Sequence, residues 1–355
     1  MNKMINATLL ASFLFTHSAL AQDENVIPVK VHKDPTIAAA ADQPNTIYLL
    51  RMHLSTDEKN NMIQARNQPS IKAFAATPSD LPASVLVSMN GVPVLYQGMH
   101  GSCVTFAVTA ALDAILNQGD YVSQLCNLEL SDYLSQNGYL TDGWNGAYGS
   151  QIINQILSFG IISKTNQYTQ SCEQVREYPF LDEKDQGNPM SLESFKKMSE
   201  NISTTITMTT LLSIPDAFDM NNAEADILVT KIKKELHEED RRTAHNRIVF
   251  GTFMPDSDGC NVGACATHNK KLDTWVLSDN IKNNPSNWFE GGHEMVIIGY
   301  DDNAVATDIA GIQHKGLFTL RNSWSKFLGD NGNYYMSYDY FKNFAWEVYV
   351  LKSKR

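Results

Sequence analysis

One cysteine lies where a loop turns into an apolar run. In "YQGMHGSCVTFAVTAALDAIL", residues 96–116, Cys103 follows Gly98 and Gly101 and precedes a stretch that is apolar almost all round. Such a stretch is a buried helix, expected over 103–117 with Gly119 as its C-terminal cap. Ser102 is then the natural N-cap. The first amides and the dipole of that helix favour an anion, so the thiol pKa should be depressed. Gly98 and Gly101 let a substrate approach the backbone, and Gln97 adds a side-chain amide donor. A thiolate beside amide donors suits acyl transfer, which needs a nucleophile and a place for an oxyanion. The plainer alternative is a free cysteine packed as a small hydrophobe.

A thiolate nucleophile wants an imidazole. Of nine histidines, His293 in "EGGHEMVIIGYD" has two glycines before it and an apolar strand behind it. A histidine that opens such a strand can point into a cleft; it can also be a satisfied core residue. His17, His32 and His53 lie near the N-terminus, and His237 and His245 flank a charged helix. The imidazole in turn wants an acceptor. Asn322, at a strand end and followed by Ser323 and Trp324, is placed to accept the ring N–H while the indole shields that bond. A single Asn is more often a turn former.

The cysteine count adds weight to Cys103. "MNKMINATLLASFLFTHSALAQ" has a cationic start, a short apolar segment and a small-x-small site at Ala19-Leu20-Ala21, the pattern of a signal peptide cut after Ala21. Export implies a disulfide-permissive compartment, secreted or periplasmic. Of five cysteines, Cys260 and Cys265 are close enough for a local staple, Cys126 and Cys172 are the other plausible pair, and Cys103 is left over. A metal site of Cys260, Cys265 and His268 is the alternative, but no second CxxC accompanies it, and no metal or cofactor is expected.

The elements that must position these groups divide the chain. Its 355 residues are 43% hydrophobic and carry a net charge of −11, which argues against a nucleic-acid partner. No window reaches the roughly 18 apolar residues of a membrane span. After the leader (1–21), residues 22–80 read as a β-hairpin (strands at 26–32 and 46–54), a short helix (55–66) and a Pro/Ser/Ala-rich linker. The main domain is expected over 81–355. Its first half is helical, with helices at 103–117 and 149–160. A helix at 225–242 leads into strands at 247–254, 294–301, 315–323, 332–339 and 344–352. Residues 255–292 read as an irregular surface excursion. Helices followed by sheet predict an α+β fold with a cleft between the halves.

Taken together, the motifs resemble those of papain-like cysteine peptidases. "QGMHGSCVTFA" is similar to the family's nucleophile motif, "GGHEMVIIGYDD" to its histidine motif, and "LRNSWSKFLGDNGNYY" to its "KNSWG..WG..GY" motif, in the family's order. "LSDYL…DGWNGAYGS" is similar to the "LSEQ…CNGG" stretch bordering the cleft, and "LPASVLVSMNGVPVLYQG" to the mature N-terminus; the likeness covers about residues 81–350. The resemblance implies a two-subdomain fold: a helical half with the nucleophile helix at its centre, a β-barrel-like half, and the cleft between them. It implies Cys103 as nucleophile, His293 as acid/base, Asn322 as orienter, Gln97 with the Cys103 amide as oxyanion hole, and Trp324 as support. Gly101, Ser102, Trp144, Asn145, Gly146, Ala147, Gly292 and Glu294 would line the cleft.

Several positions depart from the family's pattern. His100 stands where a cysteine is usual, Val104 replaces a Trp, Trp144 replaces the first residue of "CNGG", and Ala147 replaces its last Gly. Glu294 takes a small residue's place at the pocket for the substrate's P2 side chain, which predicts a polar or basic P2 preference unless that carboxylate turns to solvent. The family's long helical propeptide pattern is absent from residues 22–80, yet this segment is expected to inhibit the enzyme intramolecularly. The expectation is an exported, monomeric peptidase acting on peptides or proteins. The alternatives are a catalytically silent relative that binds a peptide or partner in the same cleft, and an acyl transferase or amidase with the same Cys–His chemistry.

Overall fold

The computed structural model describes residues 25–31, 46–67, 81–139, 142–181, 188–241, 245–254, 260, 263–283 and 291–354. The proposed leader (1–21), the hairpin loop and the linker after residue 67 lie outside them. The first described elements are β1 (Val26–Lys30), β2 (Thr46–Arg51) and α1 (Thr56–Asn67), followed by β3 (Ser84–Leu86). The strands β1 and β2 pair antiparallel, as their alternation predicts.

The helical half holds α2 (Cys103–Leu116), α3 (Gln124–Gln136), α4 (Gly149–Phe159), α5 (Lys164–Gln170) and α6 (Leu192–Met198). The first twelve residues of α2, Cys103 to Ala114, are all buried, because it forms the wall between the halves and packs on neighbours all round. Its end differs from expectation: Asn117, not Gly119, takes the left-handed cap at φ 56°, and its N–H donates to Asp113 O. Asn tolerates that conformation, so Gly119 is left to shape the next turn. The sequence pattern gave no clear sign of α3. Gln124, Asn127, Glu129 and Ser131 are as buried as its leucines, which erases the apolar period.

Then come β4 (Ile206–Leu212), α7 (Ile214–Asp219), α8 (Asn222–Asp240), β5 (Asn246–Phe253), β6 (Ala266–Thr267), β7 (Thr274–Trp275), α9 (Asp279–Asn283), β8 (Gly291–Asp308), β9 (Gln313–Arg321), β10 (Asn333–Ser337), α10 (Tyr338–Phe344) and β11 (Ala345–Ser353). A capping box at Asn221 and Glu224 starts α8 three residues before the periodic pattern does. Similarly, β10 ends at Ser337 because that serine caps α10.

The sheet half is built around β8. It pairs with β5 on one side and with β9 on the other, and its far end pairs with β6. From β9 the ladder continues to β10, then to β7, then to β6, so the pairings close a ring β8–β9–β10–β7–β6. The reading of 255–292 as a surface excursion is therefore corrected. It supplies β6 and β7, and Trp275 and Val276 are buried. Helices segregated from a mostly antiparallel sheet make the expected α+β architecture.

Candidate active site

Two strand ends of the sheet half present an imidazole and its acceptor. His293 lies near the start of β8, and Asn322 follows the last residue of β9. His293 Nε2 and Asn322 Oδ1 are 2.8 Å apart, and the same oxygen accepts the Ser323 amide at 2.7 Å. An acceptor that already takes an N–H identifies the amide oxygen, so the imidazole proton sits on Nε2. Among the described residues Nδ1 has no hydrogen-bond partner, and it carries the ring's basic lone pair. Trp324 stacks on the imidazole at 4.5 Å between centroids and 28° between planes, covering the His–Asn bond from one side.

The helical half brings the sulfur to the strand that carries this imidazole. The N-terminal residue of α2, Cys103, is buried, and α2 packs directly on β8 and β5. The amides of Cys103, Val104 and Glu294 reach the Cys103 sulfur. Since Glu294 follows His293, the thiol sits one residue from the imidazole's backbone.

Gln97 is held by both halves. Its N–H donates to Ser323 O at 2.9 Å, Ser323 Oγ donates to its Oε1 at 2.7 Å, and its Nε2 donates to His100 O at 2.9 Å. One hydrogen of the amide nitrogen is thereby used and the other is free. Ser323 was not among the expected site residues; only its place between Asn322 and Trp324 hinted at a role.

The expected depression of the thiol pKa is not seen with the N-terminal unit in place. Burial pushes the Cys103 thiol up to about 12, outweighing the amides that favour the thiolate. Burial likewise holds His293 down at about 4, against the pull of Asn322. Both groups are therefore neutral at pH 7. Nor does Ser102 cap α2 with its side chain, as expected; its hydroxyl pairs with Tyr178 at 2.8 Å.

The covering element is the N-terminal hairpin. Leu50 and Arg51 of β2 pair with Gly292 and Gly291 of β8, immediately before His293. A Cβ on Gly146 would lie 2.5 Å from Leu50 Cδ1, and one on Gly101 would lie 3.1 Å from Val26 Cγ1. The hairpin thus packs its apolar side chains on two glycines expected to line the cleft. Behind it, α1 is anchored to the main domain. Arg66 Nη2 donates to Ala217 O at 2.9 Å, Asn222 Nδ2 donates to Arg66 O at 2.5 Å, and Met62 is fully buried.

The remaining expected residues fall into two groups. Trp144 and Asn145 lie against Gly101, Gly146 meets Leu50, Ala147 is buried, and Trp144 touches the ring of His100 edge-on at 4.9 Å. Glu294 does not turn to solvent. It is buried near Gly149, Gly251 and Glu347, whose Oε1 accepts the Gly149 amide at 2.9 Å. Burial raises both carboxyls' pKa values; the charge of Glu347 adds to this at Glu294, while the Gly149 amide and Glu294 itself pull Glu347 the other way. Glu347 was not expected, although a lone acid in the apolar strand "AWEVYV" was a visible signal.

Cys126 is joined to Cys172, and Cys260 to Cys265, which leaves Cys103 free and no thiolate at 260–265 to bind a metal. Among the described residues no helix is long and apolar enough to cross a membrane.

No protein-family model and no curated protein matches the chain. Solved structures do. Xylellain, a cysteine protease from Xylella fastidiosa, is 19% identical over 82% of this chain and 95% of its own, with a TM-score of 0.48. Digestive procathepsin L 3 of the Tenebrio molitor larval midgut is 18% identical over 90% and 82%, with a TM-score of 0.44. A procathepsin B from Trypanosoma congolense is 10% identical over 83% and 87%, also at 0.44. Likeness at this level says nothing about which reaction this chain performs.

Proposed function

We propose that this chain is an exported papain-like cysteine peptidase held latent by its own N-terminal unit. The observation that carries this is the arrangement at His293: Nε2 tied to Asn322, Nδ1 free, and the next residue's amide on the Cys103 sulfur. In the open enzyme Nδ1 takes the thiol proton and the thiolate attacks a substrate carbonyl. The free hydrogen of Gln97 Nε2 and the Cys103 amide receive the oxyanion. The imidazolium gives its proton to the leaving amine, and water releases the acyl group. Exposure to water should bring the two pKa values back toward each other, since burial is the chief cause that drives them apart. The leader-like pattern at 1–21 and the two disulfides support export.

The hairpin inhibits by occupying the cleft at Gly146 and Gly101 and by excluding water from the thiol. Once the cleft is open to water, the acids Glu294 and Glu347 ionise and favour a cationic P2 side chain. Turnover of peptide amides with Arg or Leu at P2, by full-length and N-terminally trimmed protein, tests both ideas. Hydrolysis confined to trimmed protein and faster for Arg is expected. A strong Leu preference would overturn the specificity, and no hydrolysis of either peptide the activity.

A further inference from the structure

Among the described residues, serine hydroxyls cap helix after helix, and Ser102 departs from the pattern. Ser123, Ser163, Ser191, Ser213 and Ser337 stand at N-caps with ψ between 111° and 159°. Each hydroxyl accepts the amide three residues on, at 2.9–3.4 Å. That is the ordinary solution for a helix's unpaired first amides. Ser102 stands at the same place on α2, but at φ −90°, ψ 15° and with no such bond.

Tyr178 accounts for the exception. Its hydroxyl donates to Gln97 O at 2.9 Å and lies 2.8 Å from Ser102 Oγ. A phenol has one proton, and Gln97 O takes it, so Ser102 donates and Tyr178 accepts. One oxygen thus ties together both ends of the loop 97–102. The tyrosine ring is itself fixed, stacked on Trp144 at 5.4 Å and edge-on to Phe106 at 5.2 Å. Its chain neighbours grip the same loop: Met99 N donates to Phe180 O at 3.0 Å, and His100 Nε2 lies 2.6 Å from Pro179 O.

We infer that Tyr178 is a positioning residue: by holding the Ser102 hydroxyl and the Gln97 carbonyl together, it keeps the first amides of α2 uncapped and facing the Cys103 sulfur. A capping Ser102 would take the Thr105 N–H and adopt the extended backbone of the other caps, which turns the Cys103 and Val104 amides away from the sulfur. The inference rests on Cys103 being the nucleophile.

The test is Tyr178→Phe, which keeps the ring and removes only the hydroxyl. It is made in the full-length chain carrying Leu50→Asp to loosen the hairpin. Alkylation of Cys103 by iodoacetamide is followed against pH; the other cysteines are paired, so one thiol reacts. The midpoint should rise by about one pH unit, the scale of a lost helix-terminal interaction. The companion kcat should fall about tenfold with KM little changed. Removing the capping hydroxyl as well, in Tyr178→Phe with Ser102→Ala, should bring the midpoint back. An unchanged midpoint in Tyr178→Phe would overturn the inference, as would a double variant no better than the single. Alkylation needs no turnover. A midpoint that shifts and reverts in protein without peptidase activity would therefore sustain Tyr178's role and count against the peptidase alone.

Discussion

The two halves of the molecule hold their reactive groups in different ways. On the sheet side, His293 and Asn322 sit at the ends of two paired strands and are already bonded at 2.8 Å under Trp324, with the hairpin in place. On the helical side, Cys103 begins a helix whose preceding loop is strapped by residues 178–180. The sheet fixes geometry through a ladder that covering does not disturb. The helix terminus fixes an electrostatic environment, and that depends on water. With the hairpin in place, burial outweighs the amides that favour a thiolate. The proposed latency therefore needs no distortion of these groups, only their desolvation.

The largest expected effect comes from opening the covered side. Leu50→Asp puts a charge where a buried side chain meets Gly146. The cost, roughly 3–5 kcal/mol, should favour an undocked hairpin and raise Cys103 alkylation at pH 7 by about a hundredfold or more. An unchanged rate would mean that something other than the hairpin masks the thiol. On the sheet side, Asn322→Ala removes the acceptor of the His293 Nε2–H. Peptide turnover by the opened enzyme should drop roughly 10- to 100-fold with a small change in KM. A loss confined to KM would place Asn322 in substrate binding instead.

Smaller effects separate the buried acids of the two halves. Glu347→Gln should lower the Arg-over-Leu ratio in kcat/KM about tenfold; an unchanged ratio would remove that carboxyl from P2 recognition. Asp113, fully buried in α2, has its pKa raised to about 8, mainly by burial and despite the Val122 amide it accepts. Its unfolded pKa lies near 3.9, so between about pH 4 and 8 the folded state binds the extra proton and stability falls as pH rises. Asp113→Asn should therefore match the parent's melting temperature near pH 4 and exceed it by several degrees at pH 8. Equal melting at both values would show that Asp113 is no liability.

The contrast between the halves also explains what the sequence could tell. The residues of the sheet-side pair announce themselves locally: two glycines before His293, and Asn322 beside Ser323 and Trp324 at a strand end. The hairpin was legible from alternation and its helix from first-turn acids. What stayed hidden was long-range. The strands β6 and β7 are two residues each and gain meaning only from the ring they complete. The pairing of Glu294 with Glu347 joins residues 53 positions apart. Ser102 reads as a cap by every local rule, and only Tyr178, 76 residues away, takes its hydroxyl elsewhere.

The central claim is that Cys103 is a reactive nucleophile masked by residues of the N-terminal hairpin. The most direct measurement is labelling by a thiol-directed epoxide, on full-length protein and on its Leu50→Asp variant, each with a Cys103→Ala control. Labelling of the opened variant alone, lost with Cys103→Ala, is the predicted result. Equal labelling of closed and opened protein would contradict the masking, and no Cys103-dependent labelling of either, in folded protein, would contradict the nucleophile.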